Sequence, residues 1–350
     1  MNMTGRVVVT NKKDFEVQEH KIPSPPPHGI LLRQELAGIC GTDLHMWQNG
    51  LQVKTVLGHE NVGVIVAMGD EVTSDHVGRP LREGDRIVFA PGTKNGVYGF
   101  LGPEKNPCFH GGFSDYIALY LENTCYLKTD LPPEVAVLTE PFTIGVHAAM
   151  RAGIEIGDTV VVQGSGAIGL LTVACAKISG AGKIIVIGGP EDRLSLAKMM
   201  GADIVINIEE VPSIESRKEL VLGHTQHQGG ADVVFECAGF LPATIEGMGY
   251  VRYGGTFVEV GHYVDMGSIE MNINRLMMKR NMRIEAIWGS TYEHFTRGLP
   301  ILEKNEFPFR KMISHILPLD KVEAGFKALN GDYRLGDETV IKIAVAGNSA

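Results

Sequence analysis

Apolar and polar positions change rhythm twice along this chain. Between Arg6 and about Gly145, short runs that are rich in Val and Ile, or that alternate apolar with polar, occupy residues 6–10, 30–37, 62–68, 85–90 and 114–119. Turn formers separate them, among them Pro23-Ser24-Pro25-Pro26-Pro27 and Pro91-Gly92. Short strand-like runs closed by Gly and Pro predict a β-dominated domain of barrel type. From about Gly157 to Ala286 the runs become continuously apolar, at 159–163, 183–187, 204–208, 232–237, 256–260 and 282–287. Helix-length segments such as 168–179 and 193–200 lie between several of them. Apolar strands alternating with helices predict a parallel sheet covered on both faces, and six strands suit a doubly wound dinucleotide-binding domain. The tail from Gly289 reads as helix, loop, a helix at 319–329 and a strand at 339–346. It is too short for a core of its own and is expected to pack back on the first segment.

Composition narrows the function classes. The chain has 350 residues, 44% hydrophobic and 21% charged, with a formal charge of −9. That balance excludes a disordered or collagen-like chain. The negative charge, with no basic run, disfavours nucleic acid and anionic membrane as partners. Five scattered cysteines form no disulfide framework and point to a reducing compartment. The first residues carry only the short apolar run Val7-Val8-Val9, unlike a secretory signal. A soluble cytoplasmic protein is expected.

Candidate chemistry begins where the 159–163 run meets Gly164-Ser165-Gly166-Ala167-Ile168-Gly169. Gly164 permits a sharp turn, Gly166 lets a pyrophosphate approach the backbone, and Gly169 lets the next helix lie close on the strand. Ala167 and Ile168 open that helix, whose N-terminal N–H groups suit phosphate. An acid about 20 residues on would bind the ribose 2′-hydroxyl. Here that position is Gly188, which removes the repulsion that excludes NADP, and Arg193 could approach a phosphate. Glu191 and Asp192 keep the loop acidic. The residues leave NAD or NADP open, with a slight preference for NAD.

Two local motifs suit a metal. Cys40-Gly41-Thr42-Asp43-Leu44-His45 and Gly58-His59-Glu60-Asn61-Val62-Gly63 bring a thiolate, an imidazole and a carboxylate into one short stretch, a donor set fitted to Zn²⁺. Thr139-Glu140-Pro141-Phe142 adds another carboxylate. Each motif alone has a plain structural alternative: a buried cysteine, a chance Gly-His-Glu, a turn glutamate.

Taken in order, however, these motifs, with Gly84-Asp85-Arg86-Ile87-Val88, Gly111-Gly112-Phe113-Ser114-Asp115-Tyr116 and the glycine turn, resemble the zinc-dependent medium-chain alcohol and polyol dehydrogenase family from end to end. The Glu140-Pro141 pair is most similar to its sorbitol and threonine dehydrogenase branches. The resemblance implies an α/β chain with a GroES-like β-barrel catalytic domain (1–150), a Rossmann doubly wound parallel sheet (151–288) and a C-terminal return to the catalytic domain (289–350). It places a catalytic zinc between the domains, with Cys40 and His59 as ligands and Glu60 and Glu140 near the metal. It implies a proton relay from Thr42 through the cofactor ribose to His45, with Glu60 also in the catalytic set. It adds Cys237, Gly239, Val260 and Gly261 to the cofactor-binding residues, and a dimer or tetramer as the assembly.

Charge arithmetic refines this picture. Zn²⁺ with the Cys40 thiolate, neutral His59 and one carboxylate is formally neutral, and a second carboxylate would make the site negative. One glutamate is therefore expected to bind directly and the other through water, or in alternation. Most zinc enzymes of the family also carry four cysteines for a structural zinc. Between Pro91 and His110 this chain has only Cys108, so one zinc per chain is expected. The replacement loop, 93–100, is free to shape a substrate pocket or an interface. Trp47, Phe109 and Trp288 are aromatic candidates for the pocket, with core packing as the alternative. His20, His76, His224, His227 and His315 read as surface residues. The expected reaction is hydride transfer between a secondary alcohol or polyol, or its ketone or aldehyde, and NAD(P). The alternatives are a zinc-free NADPH reductase of the same fold and a catalytically silent NAD(P)-binding sensor.

Overall fold

The computed structural model describes residues 4–102, 108–225 and 229–347. The chain forms two compact units, one from residues 1–140 and 291–350 and one from residues 141–290. The division falls in the first turn of the helix Thr139–Ala152, ten residues before the expected 150, because that helix runs without a break past residue 150.

In the first unit the strand Ile30–Gly38 is buried along most of its length and is the centre of a seven-stranded sheet. It pairs with Glu60–Met68, Tyr116–Leu119 and, antiparallel, with the C-terminal strand Lys342–Ala346. Ala344 lies opposite Gly38 and Val345 opposite Ala37, so the chain end completes the sheet begun near its start. A three-stranded sheet of Asp14–Lys21, Thr4–Lys12 and Leu51–Val56 joins it. Trp47, Phe113, Phe326, Leu319 and Val345 share one apolar core, which draws on both chain ends.

The second unit holds six parallel strands in the order Ile204–Asn207, Lys183–Gly188, Thr159–Gln163, Ala231–Glu236, Val251–Glu259, Arg283–Ala286. Counted along the chain this is 3-2-1-4-5-6, the order of a dinucleotide-binding sheet. Val160, Val161, Val162, Ile184, Ile185 and Val234 are wholly buried, which is why these strands read as continuous apolar runs. Among the described residues no helix is long and apolar enough to cross a membrane.

Candidate active site

Cys40 caps the helix Gly41–Gln48 in an extended conformation. Asp43, buried in the first turn, accepts the Cys40 amide at 2.9 Å. An acid at this position satisfies a free N–H and sits at the positive end of the helix. Its other oxygen lies 3.3 Å from His59 Nδ1, which leaves Nε2 as the ring nitrogen available to a metal. Burial pulls the His59 pKa down, but the charges of Asp43 and Cys40 outweigh it and hold the ring well above its usual value.

Glu60 opens the strand Glu60–Met68 beside His59. Lys342, from the C-terminal strand, places Nζ 2.8 Å from Glu60 Oε1 and 2.6 Å from Oε2, and also donates to the Ile39 carbonyl at 3.2 Å. Burial works against the Lys342 charge, yet Glu60, Cys40 and Glu140 raise its pKa above the ordinary lysine value. Glu140 is pushed up to about 7, first by loss of hydration and then by Glu60 and Asp43, with His59 and Lys342 opposing.

Donor atoms of Cys40, His59 and Glu60 all lie within 4.8 Å of one another. Ligands around a tetrahedral zinc stand about 3–4 Å apart, so a small contraction suffices. The cluster gathers more acidic than basic groups in a largely buried site, and this raises the proton affinity of His59 and Glu140, protons with which a divalent cation would compete. The donor set therefore fits zinc. Glu140 lies outside the trio but close enough to feel the charges of His59 and Glu60.

On the same helix Thr42 and His45 are partly exposed, and the Cys40 thiol donates to Thr42 Oγ1 at 3.6 Å. Burial lowers the His45 pKa. Trp47 and Phe109 are core residues rather than pocket walls. Trp47 packs against Phe15 and Phe326 and donates Nε1 to the Lys13 carbonyl, and Phe109 is wholly buried. Trp288 is 80% exposed in the second unit. The aromatic side chain that meets a proposed ligand is Phe100, with ring centroids 5.2 Å from His59. It is carried by the replacement loop, which is anchored by fully buried Tyr98 through a hydrogen bond with Thr124. Of the other histidines, His76 and His224 are exposed, His20 and His315 are half-buried, and His227 lies outside the described residues.

In the second unit Gly164 turns the chain at φ +95°, and a Cβ there would stand 2.8 Å from the Ala238 amide nitrogen. Gly169 packs so closely that a Cβ would overlap the Gly164 carbonyl. In front of Gly166, which caps the helix Ala167–Ile178 without any side-chain bond, a Cβ would meet nothing within 4 Å. Open space before a row of helix N–H groups fits a dinucleotide phosphate. Ser165 Oγ ties this turn to Gly189, and a Cβ on Gly188 would lie 2.5 Å from the same oxygen. Arg193 is buried. Cys237, Gly239, Val260 and Gly261 gather at the carboxyl ends of the neighbouring strands, where Glu236 O accepts the amides of Val260 and Gly261 at 3.0 and 2.9 Å.

Sequence reading missed Asp43, Lys342, Glu236 and Glu259 as working groups. A signal was present for Lys342, the single charge of its strand, and a weaker one for Glu236 and Glu259, which share otherwise mostly apolar strands with Asp232 and Arg252; a charge in such a strand implies a buried partner.

The chain matches the family of the alcohol dehydrogenase GroES-like domain over residues 26–130 and that of the zinc-binding dehydrogenases over residues 167–304. A sorbitol dehydrogenase of Gallus gallus is 31% identical, covering 93% of this chain and 94% of its own. A sorbitol dehydrogenase of Bacillus subtilis is 34% identical, covering 73% and 74%. An alcohol dehydrogenase structure from Thermotoga maritima superposes with a TM-score of 0.89 at 27% identity, covering 98% and 99%. With both domain families present and relatives matched along nearly its whole length, this chain belongs to the zinc-dependent medium-chain alcohol and polyol dehydrogenases, NAD(P)-linked oxidoreductases.

Proposed function

We propose that the protein interconverts a secondary alcohol or polyol and its carbonyl product using one catalytic zinc per chain, with NAD preferred over NADP. The observation that carries this reading is the Cys40–His59–Glu60 trio, with His59 and Glu60 buried and Cys40 partly so, braced by Asp43 on one side and Lys342 on the other. When bound, zinc supplies Lewis acidity at the substrate oxygen and the nicotinamide supplies the hydride acceptor.

The chain's own residues do the rest. Asp43 fixes the His59 ring, and Lys342 offsets the Glu60 charge. Of the two glutamates, one would bind the metal directly and the other would act through water. The Thr42 hydroxyl would accept the proton of the substrate hydroxyl while giving up its own toward the cofactor ribose, and His45 would take that proton on to solvent. A lowered His45 pKa keeps the ring neutral, and so able to accept a proton, near pH 7. Phe100 stands beside His59 and would contact the substrate's carbon skeleton. The Gly164–Gly169 turn binds the pyrophosphate, and the loops at 237–239 and 260–261 bind the nicotinamide half. The absence of an acidic side chain at Gly188 weakens the case for strict NAD use, while Glu191 and Asp192 oppose a 2′-phosphate.

A cytoplasmic homo-oligomer completes the reading. All five cysteines are unpaired. The edge strand Arg283–Ala286 has a partner on one side only, and Ile273, Met278 and Trp288 nearby are exposed. The test is metal analysis followed by a screen of secondary alcohols and polyols with NAD⁺ and NADP⁺. Zinc-dependent reduction of cofactor is expected. Turnover without zinc would favour the reductase alternative, and cofactor binding without any turnover the silent sensor.

A further inference from the structure

The carboxyl edge of the six-stranded sheet holds a group of acids that the reaction does not consume. Gln163, Glu236 and Glu259 are in register on three adjacent parallel strands, so their side chains leave the same face. The helix Leu241–Met248 covers that face, with Thr244 Oγ1 3.4 Å from Glu259 Oε2. Glu236 Oε1 accepts the amides of Ala238 and Gly239 at 2.8 and 3.0 Å. Glu259 Oε1 accepts the amides of Gly261 and His262 at 3.1 and 3.3 Å, and lies 3.1 Å from His262 Nδ1. That ring nitrogen is also 3.6 Å from Glu236 Oε2. Each glutamate thus folds back to hold the loop that leaves its own strand, and His262 rests against both. The loops themselves touch, since a Cβ on Gly261 would stand 2.3 Å from the Gly239 nitrogen.

We propose that Glu236 and Glu259 act as a hydrogen-bonded carboxyl pair that, with His262, positions the loops at 237–239 and 260–262 for the nicotinamide half of the cofactor, so that cofactor affinity falls when the pair loses its shared proton. This rests on the reading, made above, that those loops bind the cofactor. The carboxylates of Glu236, wholly buried, and Glu259, mostly buried, lie within 4.8 Å of each other and repel when both are ionised. In keeping with this, Glu236 is pushed up to about 8 by loss of hydration, then by the charge of Glu259 and the hydrogen bond with it, while the Ala238 and Gly239 amides pull the other way. The other titratable groups facing the pair are few. Cys237 stays a neutral thiol, raised by burial and then by Glu236. Glu246 of the covering helix is committed to Arg217 and Tyr250. Gln163 is neutral. While one proton is shared, both acids can hold their loops at close range. Once it leaves, two like charges must separate, and the loops they hold separate with them.

The experiment measures NADH and AMP binding to the zinc-loaded protein from pH 7 to 9.5, by fluorescence and calorimetry, for the wild type and Glu259→Gln. AMP occupies only the adenosine half. For the wild type, NADH affinity should fall at least about tenfold across this range while AMP affinity stays within about twofold. Glu259→Gln can donate to an ionised Glu236, so its NADH affinity, whatever its value at pH 7, should lose the pH dependence. Glu236→Gln carries the same expectation and serves if the first variant does not fold. A wild-type NADH affinity that is flat with pH, or a Gln variant that keeps the wild-type profile, overturns the proposal. So does a second bound metal that disappears in Glu259→Gln, because the trio would then be a cation site. If NADH and AMP share one pH profile, the loops do not hold the nicotinamide half. If AMP binds and NADH does not at any pH, it is the cofactor reading that fails, and the proposal falls with it.

Discussion

Lys342→Met is the sharpest test of how the proposed Cys40–His59–Glu60 metal site is built. The change keeps the apolar stem of the side chain and removes only the ammonium, which is 2.6–2.8 Å from both Glu60 oxygens. Lys342 is 4% exposed and Glu60 1%, so water cannot replace the lost partner. At this distance and an effective dielectric near 20 the attraction is about 6 kcal/mol, part of which only offsets the hydration both groups have given up. Removing one partner of such a pair costs about 3–5 kcal/mol. In a unit of about 200 residues each kcal/mol moves the melting midpoint by about 2–4 °C, so a fall of roughly 6–20 °C is expected. The assay is thermal unfolding of zinc-stripped and zinc-loaded protein at pH 7. The stripped form should show the full loss and the loaded form a smaller one, because the metal then shares the Glu60 charge. The double variant Glu60→Gln/Lys342→Met should recover part of the stability. A stripped Lys342→Met within about 1 kcal/mol of wild type, or a double variant no more stable than the single, would refute the account of Lys342 as the counter-charge.

Other expectations follow from the same geometry. Asp43→Asn keeps the shape but removes the charge that orients His59, and zinc affinity measured by chelator competition should drop about 10–100-fold; an unchanged affinity would rule out the orienting role. His45→Gln should lower kcat several-fold. Because burial lowers the His45 pKa, the ring gains its proton only below the usual 6.5, so the acid limb of the wild-type pH profile should lie there and vanish in the variant. A limb that persists would exclude His45 from the relay. Metal analysis of the purified protein should return one zinc per chain, and two would overturn the single-site reading. Gly164→Ala combines an unfavourable φ of +95° with a 2.8 Å contact, so cofactor binding should be lost along with about 1–3 kcal/mol of stability; normal NADH affinity in that variant would contradict the role of the turn.

Local pattern was enough for much of this architecture. The apolar runs at 159–163, 183–187 and 232–237 each became a strand within a residue or so of the expected ends, because strands buried on both faces must be apolar throughout. The helices were legible to within about two residues: Ala167–Ile178 stands against the expected 168–179 and Glu191–Met199 against the expected 193–200. The strand Asp14–Lys21 was not foreseen, since its residues are largely polar and exposed and it is held only by pairing with Thr4–Lys12. The strand Leu51–Val56 likewise carries Gln52 and Lys54 and owes its place to a partner remote in sequence.

What the sequence by itself determined about this protein is therefore what short-range chemistry determines: strand and helix periodicity, the glycine turn, and the motifs that carry Cys40, His59 and Glu60, which the fold brings within 4.8 Å of one another. What only the tertiary structure decided are the groups that arrive from far away. Lys342 reaches Glu60 across 282 positions because the last strand pairs with Ile30–Gly38, and nothing near residue 342 announces that partner. Phe100, rather than Trp47 or Phe109, stands beside His59 because Phe15 and Phe326 claim Trp47 for the core. Glu236 and Glu259 became a pair only when two strands aligned in register. A buried charge is tolerable only where the fold supplies its partner, and that partner is fixed by strand order and packing rather than by neighbours in the chain.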